Sequence, residues 1–141
     1  MDAQGEVLDK LFSTLTGDST LENLFGGTVK LYPIDANKDP TVPYMIHELS
    51  GSDKDLLRVD GTYYLDIYTE GNLKDKAWPI NEQVKVILTE NRWSTGKVKF
   101  RTGTIDRFES IQTETKEMNH YVGQWPLTYY KHELVDKILT R

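Results

Sequence analysis

The apolar residues of the chain change period several times, and each change marks an element. Val7, Leu8, Leu11, Phe12 and Leu15 recur at one-, three- and four-residue steps, the stripe of an amphipathic helix. Thr16-Gly17-Asp18 stops it, and Ser19 or Thr20 caps a second short turn carrying Leu21, Leu24 and Phe25 before Gly26-Gly27. A strand is predicted over Thr28 to Tyr32, then a loop that Pro33, Pro40 and Pro43 keep irregular. Tyr44 to Leu49 reads as a strand buried on both faces or nearly so. Leu57 to Tyr68 alternates, with Leu57, Val59, Tyr63, Leu65 and Ile67 on one side and Arg58, Asp60, Thr62 and Asp66 on the other. That period of two marks a half-buried antiparallel strand, and Gly61 within it suggests a bulge or bend.

Leu73, Ala77, Ile80, Val84, Ile87 and Leu88 restore the helical step, with Asn72 as cap. Pro79 lies too deep for a first turn, so a kink or a restart near Trp78 is expected. Trp93 to Gly96 leads into strands near Val98–Arg101 and Thr104–Ile111, broken at Gly103. After a polar excursion from Gln112 to Asn119, a last strand runs from Tyr121 to Tyr130, with Pro126 arguing for an edge or an interruption. Leu134, Val135 and Ile138 suggest a short terminal helix over His132 to Leu139. The expected fold class is α+β: one domain spanning residues 1–141, a mostly antiparallel sheet, and the two larger helices on one face.

Composition narrows the function classes. At 141 residues, 38% hydrophobic and 28% charged, the chain suits one globular domain with a real core. No apolar run reaches the roughly 18 residues of a spanning helix, and the opening residues do not resemble a secretory signal. Cysteine is absent, which removes disulfides, thiol catalysis and cysteine-ligated metals. The net charge of −5 opposes general binding to phosphate backbones. Asp35-Ala36-Asn37-Lys38-Asp39 opens like a calcium loop, but Pro40 replaces the glycine and Ile46 the closing glutamate. His47-Glu48 and His132-Glu133 are halves of a zinc motif without the second histidine. There is no Gly-x-Ser-x-Gly elbow and no phosphate loop, so the expectation is a non-enzyme with no cofactor.

Two surface features remain. Lys97, Lys99 and Arg101 alternate with Val98 and Phe100. The ordinary reading is a lysine-protected edge or solvent face; the sharper one is a docking stripe for an acidic neighbouring subunit. Tyr64, Tyr68 and Tyr130 fall on the polar side of their strands, where tyrosine serves either cross-strand packing or a protein interface. The paired carboxylates Asp53 and Asp55 sit in a polar turn and suit a solvated contact loop, as does Gln112 to Lys116.

The order of these segments resembles the tail-terminator or tail-completion family of long-tailed phage neck proteins. The carrying features are Leu11-Phe12-Ser13-Thr14-Leu15, then Asp18-Ser19-Thr20-Leu21-Glu22-Asn23-Leu24-Phe25-Gly26-Gly27, then Tyr32-Pro33 and Val42-Pro43-Tyr44-Met45-Ile46. The strand Tyr63 to Tyr68, the helix Ile80 to Thr89 and Leu127-Thr128-Tyr129-Tyr130 complete the match, which covers about residues 15 to 130. The resemblance implies a virion protein assembled in the bacterial host cytoplasm. Such a protein forms a ring, usually hexameric, on the finished tail tube, ends tube polymerisation and docks the head connector. Its partners are copies of itself, the tube protein and the connector, with DNA passing through the lumen without specific binding and no membrane involved. The subunit or partner contacts expected on this reading are Lys97, Lys99, Arg101, Asp53, Asp55, Tyr64, Tyr68 and Tyr130. The competing readings are a neighbouring head–tail adaptor or stopper and, from another class, a small-molecule or peptide-binding module of a bacterial cell. The failed metal motifs predict that elemental analysis of purified protein finds no stoichiometric zinc or calcium.

Overall fold

The computed structural model describes residues 2–34, 41–53, 58–71, 74–111 and 118–131, with the side chains of residues 52, 53 and 74–76 left aside. Helix α1 spans Ala3–Thr16. Asp2 caps it by accepting from the Gly5 N–H at 2.7 Å. Helix α2, Ser19–Phe25, is capped by Asp18, one residue earlier than the hydroxyls suggested. It ends at Gly26, whose φ of 80° is the left-handed conformation glycine adopts freely. Strands β1 (Leu31–Pro33), β2 (Tyr44–Asp53) and β3 (Arg58–Glu70) follow, then helix α3 (Lys74–Leu88). Strands β4 (Arg92–Ser94), β5 (Val98–Thr102), β6 (Arg107–Ile111) and β7 (Met118–Lys131) complete one sheet. The order is β1-β2-β3-β7-β5-β4, with β6 pairing β7 beyond the end of β5; only β1–β2 is parallel. The α+β class is therefore as expected.

All three helices cover the same face of the sheet. Val7, Leu11 and Leu15 of α1, Leu21 and Phe25 of α2, and Ile80, Val84 and Leu88 of α3 form one cluster with Val59, Tyr63, Leu65 and Ile67 of β3. Leu65, Ile67 and Val84 are fully buried, whereas Ile87 is only half-buried at the rim of this cluster. Strand β2 is not buried on both sides. Met45, His47 and Leu49 face the helices, while Glu48 and Ser50 are exposed on the other face.

Several local expectations are corrected by the sheet. Strand β1 begins three residues later than predicted, and β4 has no counterpart in the sequence reading because a three-residue strand shows too little alternation. Helix α3 runs through Pro79, its sixth residue, without a restart, although the proline leaves one i→i−4 backbone hydrogen bond unmade. No bulge occurs at Gly61: the pairing continues through Gly51 on one side and Leu127 on the other. Its glycine is needed instead because a Cβ there would collide with the Ser50 carbonyl. Pro126 lies in the central strand β7, not at an edge. Its carbonyl accepts from the Gly103 N–H at 2.9 Å, so its ring nitrogen faces the gap where β5 gives way to β6. The missing N–H thus costs no hydrogen bond to β3. The predicted cap Asn72, the calcium-like loop 35–39 and the terminal helix 132–139 lie outside the described residues.

Leu65→Ala removes a fully buried side chain at the centre of the sheet-on-helix core and is expected to cost about 2–5 kcal/mol. Urea unfolding of the purified variant checks this; a change below about 0.5 kcal/mol contradicts the assigned core.

Candidate functional site

The helices cover one side, and among the described residues the other side of the sheet is open, so strand register decides what it displays. Even-numbered residues of β2, β3 and β7 and odd-numbered residues of β5 and β6 share this face. At one end, Tyr44, Tyr68 and His120 are directly opposite one another on three adjacent strands. Their rings stack, Tyr44 on Tyr68 at 4.7 Å and Tyr68 on His120 at 4.2 Å, and Tyr32 of β1 tilts against Tyr44 at 6.5 Å. Asp66 meets His120 Nε2 at 2.7 Å beside this ladder. Burial, then the nearby Asp66 and Tyr44, push the Tyr68 hydroxyl up to about 12, so it stays protonated as a hydrogen-bonding group. Tyr68 is therefore first a cross-strand packing residue. Tyr64 sits half-buried at mid-face, opposite Glu48 and Gln124.

The other end is basic. Lys99 and Arg101 of β5 are exposed, and Arg101 stands directly opposite Arg92 of β4. Tyr130 lies between Lys99 and Arg58 on neighbouring strands, and Arg58 is held by Asp60 at 2.9 Å. Arg92, Lys99, Arg101 and Tyr130 line a depression of about 510 Å³. A second hollow of about 490 Å³ lies on the far side of Arg92 and Arg101, bounded by Gly103 and Pro126. The two arginines thus form a ridge between two hollows. Lys97 is not part of the strand: it lies exposed in the β4–β5 turn, so the stripe expected on one strand is Lys99 and Arg101. Neither is the stripe on an edge, since β5 is paired on both sides. Arg92 was missed because nothing in its local sequence announces β4, the strand that carries it to the cluster. Asp53 ends β2 with its side chain left aside, and Asp55 and the segment 112–116 lie outside the described residues.

The polar groups under the helices are structural. His47 faces inward, its Nδ1 2.7 Å from the buried Tyr63 hydroxyl, while its neighbour Glu48 faces out. The two therefore point to opposite faces and cannot share a metal ion. Trp125 donates its indole N–H to Thr89 at 3.1 Å, tying β7 to the end of α3. The Thr102 hydroxyl donates to the Leu88 carbonyl and closes the same helix end against β5. Among the described residues, no group of three or more metal-ligating carboxylates and imidazoles converges. No described helix is long and apolar enough to cross a membrane.

Comparison with known proteins gives the fold a context. No family model matches the chain, and no curated protein does. Among solved structures, a chain from the "virion of native gene transfer agent (GTA) particle" shares the fold with a TM-score of 0.66 at 14% identity. The match covers 85% of this chain and 90% of that one. A second solved chain, whose name states no function, matches with a TM-score of 0.61 at 13% identity, over 92% of this chain and 96% of its own. At such identities the likeness is one of backbone architecture.

Burial holds the His47 pKa down at about 4, below its ordinary 6.5. The unfolded chain then binds a proton that the folded chain refuses, so this contribution is complete above pH 6.5 and is lost as pH falls towards 4. Between pH 7 and 5 it amounts to about 2 kcal/mol. Urea midpoints at the two pH values should show this loss in the wild type, and His47→Gln should reduce it.

Proposed function

We propose that the chain is a structural protein of a phage-type particle. It assembles as a ring on the finished end of a tail tube, stops tube growth and presents a surface to the head connector. The observation that supports a place in such a particle is the architecture shared with a gene transfer agent virion chain over 85% of this chain and 90% of that one. The order of sequence segments that resembles tail-terminator proteins supports the same assignment independently of the backbone comparison.

The physical character of the molecule suits the role. A ring needs two unlike surfaces that meet heterologously and close. Here one face of the sheet is covered by helices and the other is open, with aromatic and basic ends. The two strands that end the main order, β1 and β4, have three residues each, too short to invite open-ended strand addition. The net charge of −5 disfavours adhesion to DNA passing through a lumen, because phosphate affinity comes from cationic contacts. The role requires no bound cofactor and no catalysis.

The test is deletion of the gene from its particle, followed by electron microscopy of the tails. Loss should give tubes of uncontrolled length, and added purified protein should restore a uniform length. Tails of normal length that fail to join heads would place the protein in the adjoining stopper position. A stable symmetric dimer without affinity for tube ends would overturn the structural reading.

A further inference from the structure

The basic end of the open face is electrostatically incomplete. Arg92 and Arg101 are directly opposite each other on adjacent strands, and Lys99 is two residues from Arg101 on the same face. Like charges in this arrangement repel. Among the described residues none of the three has an ion-pair partner, in contrast to Arg58, which is held by Asp60, and Arg107, which is held by Glu109. The ridge of Arg92 and Arg101 stands between hollows of about 510 and 490 Å³. Glu90 lines the second, where its carboxylate accepts from the Thr104 hydroxyl at 2.8 Å, so the first is the side open to an acidic surface.

An acidic pair lies on the helical side of the same chain. Glu6 and Asp9 are three residues apart on α1 and share one stripe with Ser13, while Asp2 precedes the helix and caps it. The acidic part of the stripe, Glu6 to Asp9, is about 5 Å long at 1.5 Å per residue. The Lys99–Arg101 pair spans about 7 Å along its strand, with Arg92 about 5 Å to the side. Asp9 is exposed and has no ion-pair partner among the described residues. Glu6 is half-buried, with one carboxylate oxygen shielded from solvent. Glu6, Asp9 and Ser13, with Lys10 at the side, line a hollow of about 240 Å³ beside Ser94 and Thr95 of the β4–β5 turn. Unpaired acids and unpaired cations therefore flank the same end of the molecule on opposite sides of the sheet, where they do not neutralise each other within one copy.

We propose that the occupant of the Arg92–Lys99–Arg101 surface is the Glu6–Asp9 stripe of α1 from a second copy of this chain. The contact is front to back, with the helical layer of one subunit on the open sheet of the next. Each copy then keeps one unfilled surface of each sign until a ring closes. The proposal rests on the ring-forming reading for that closure, and it names the side chains that make the contact. Two copies related by a two-fold axis with their basic ends together would instead oppose cation to cation.

Charge reversal in separate chains tests it. One variant carries Lys99→Glu and Arg101→Glu, making both of its surfaces acidic; the other carries Glu6→Lys and Asp9→Lys, making both basic. Each alone should self-associate about tenfold more weakly than wild type in sedimentation velocity at low salt, where surface attraction is least screened. An equimolar mixture should recover association and also the capping of tail precursors, because every junction again joins opposite signs. If Glu6→Lys disturbs folding, as circular dichroism would reveal, the exposed Asp9→Lys alone replaces the pair. A mixture no better than its components, or capping indifferent to all four substitutions, overturns the proposed contact while leaving tail termination intact. Recovered association without tail capping supports the contact and counts against the terminator role.

Discussion

The long antiparallel ladder between β3 and β7 is the constraint on which the rest of the structure depends. It pairs Arg58 with Tyr130 at one end and Glu70 with Met118 at the other, without an inserted residue. Side chains alternate strictly along such a ladder, so its register commits each residue to the helical layer or the open face. Tyr63, Leu65, Ile67 and Trp125 go inward, where α1 and α3 cover them. The same register sends Tyr68 and His120 outward into a stack, and Tyr130 outward beside Lys99. A slip of one residue would bury aspartate and arginine beneath the helices, a cost no local adjustment recovers.

Glycines and the one proline let this ladder carry its neighbours. Gly61 permits β2 to approach where a side chain would strike the Ser50 carbonyl. Gly123 leaves room for the rings of Trp125 and Phe108, which fill the space a Cβ would occupy. Pro126 turns its ring nitrogen towards the junction of β5 and β6, the place along β7 where the lateral partner changes. Proline in a central strand is thus tolerated through a division of labour between two short strands.

What could be read from the sequence follows from this geometry. The alternation of β3 and the three-four stepping of α1 and α3 are signals written in single segments, so the core residues Leu65, Ile67 and Val84 were legible before any coordinates. The basic cluster was only half legible. Lys99 and Arg101 belong to one alternating segment, but Arg92 reaches them through pairing between strands, which leaves no local period. Lys97 was grouped with them by spacing alone, and the turn at Thr95–Lys97 removes it from the strand. The tyrosines show the same limit: polarity placed Tyr68 on the open side, but only the register reveals that it packs between Tyr44 and His120. The context of Pro126 was illegible for a related reason, since an edge and a change of partner demand the same missing N–H.

The open face also separates two kinds of residue that a binding surface uses differently. At the aromatic end, stacking and the Asp66–His120 contact hold side chains in place within the chain, so docking there loses little side-chain entropy. At the basic end, long cations stand beside like charges, an arrangement that gains more from an acidic partner than it contributes to the isolated fold. Directional attraction belongs to that end, while shape and rigidity belong to the other. On the proposed front-to-back contact, such a chain would be folded and stable alone yet prefer one orientation towards a second copy, because charges that repel within one copy would be relieved across a contact of fixed sense.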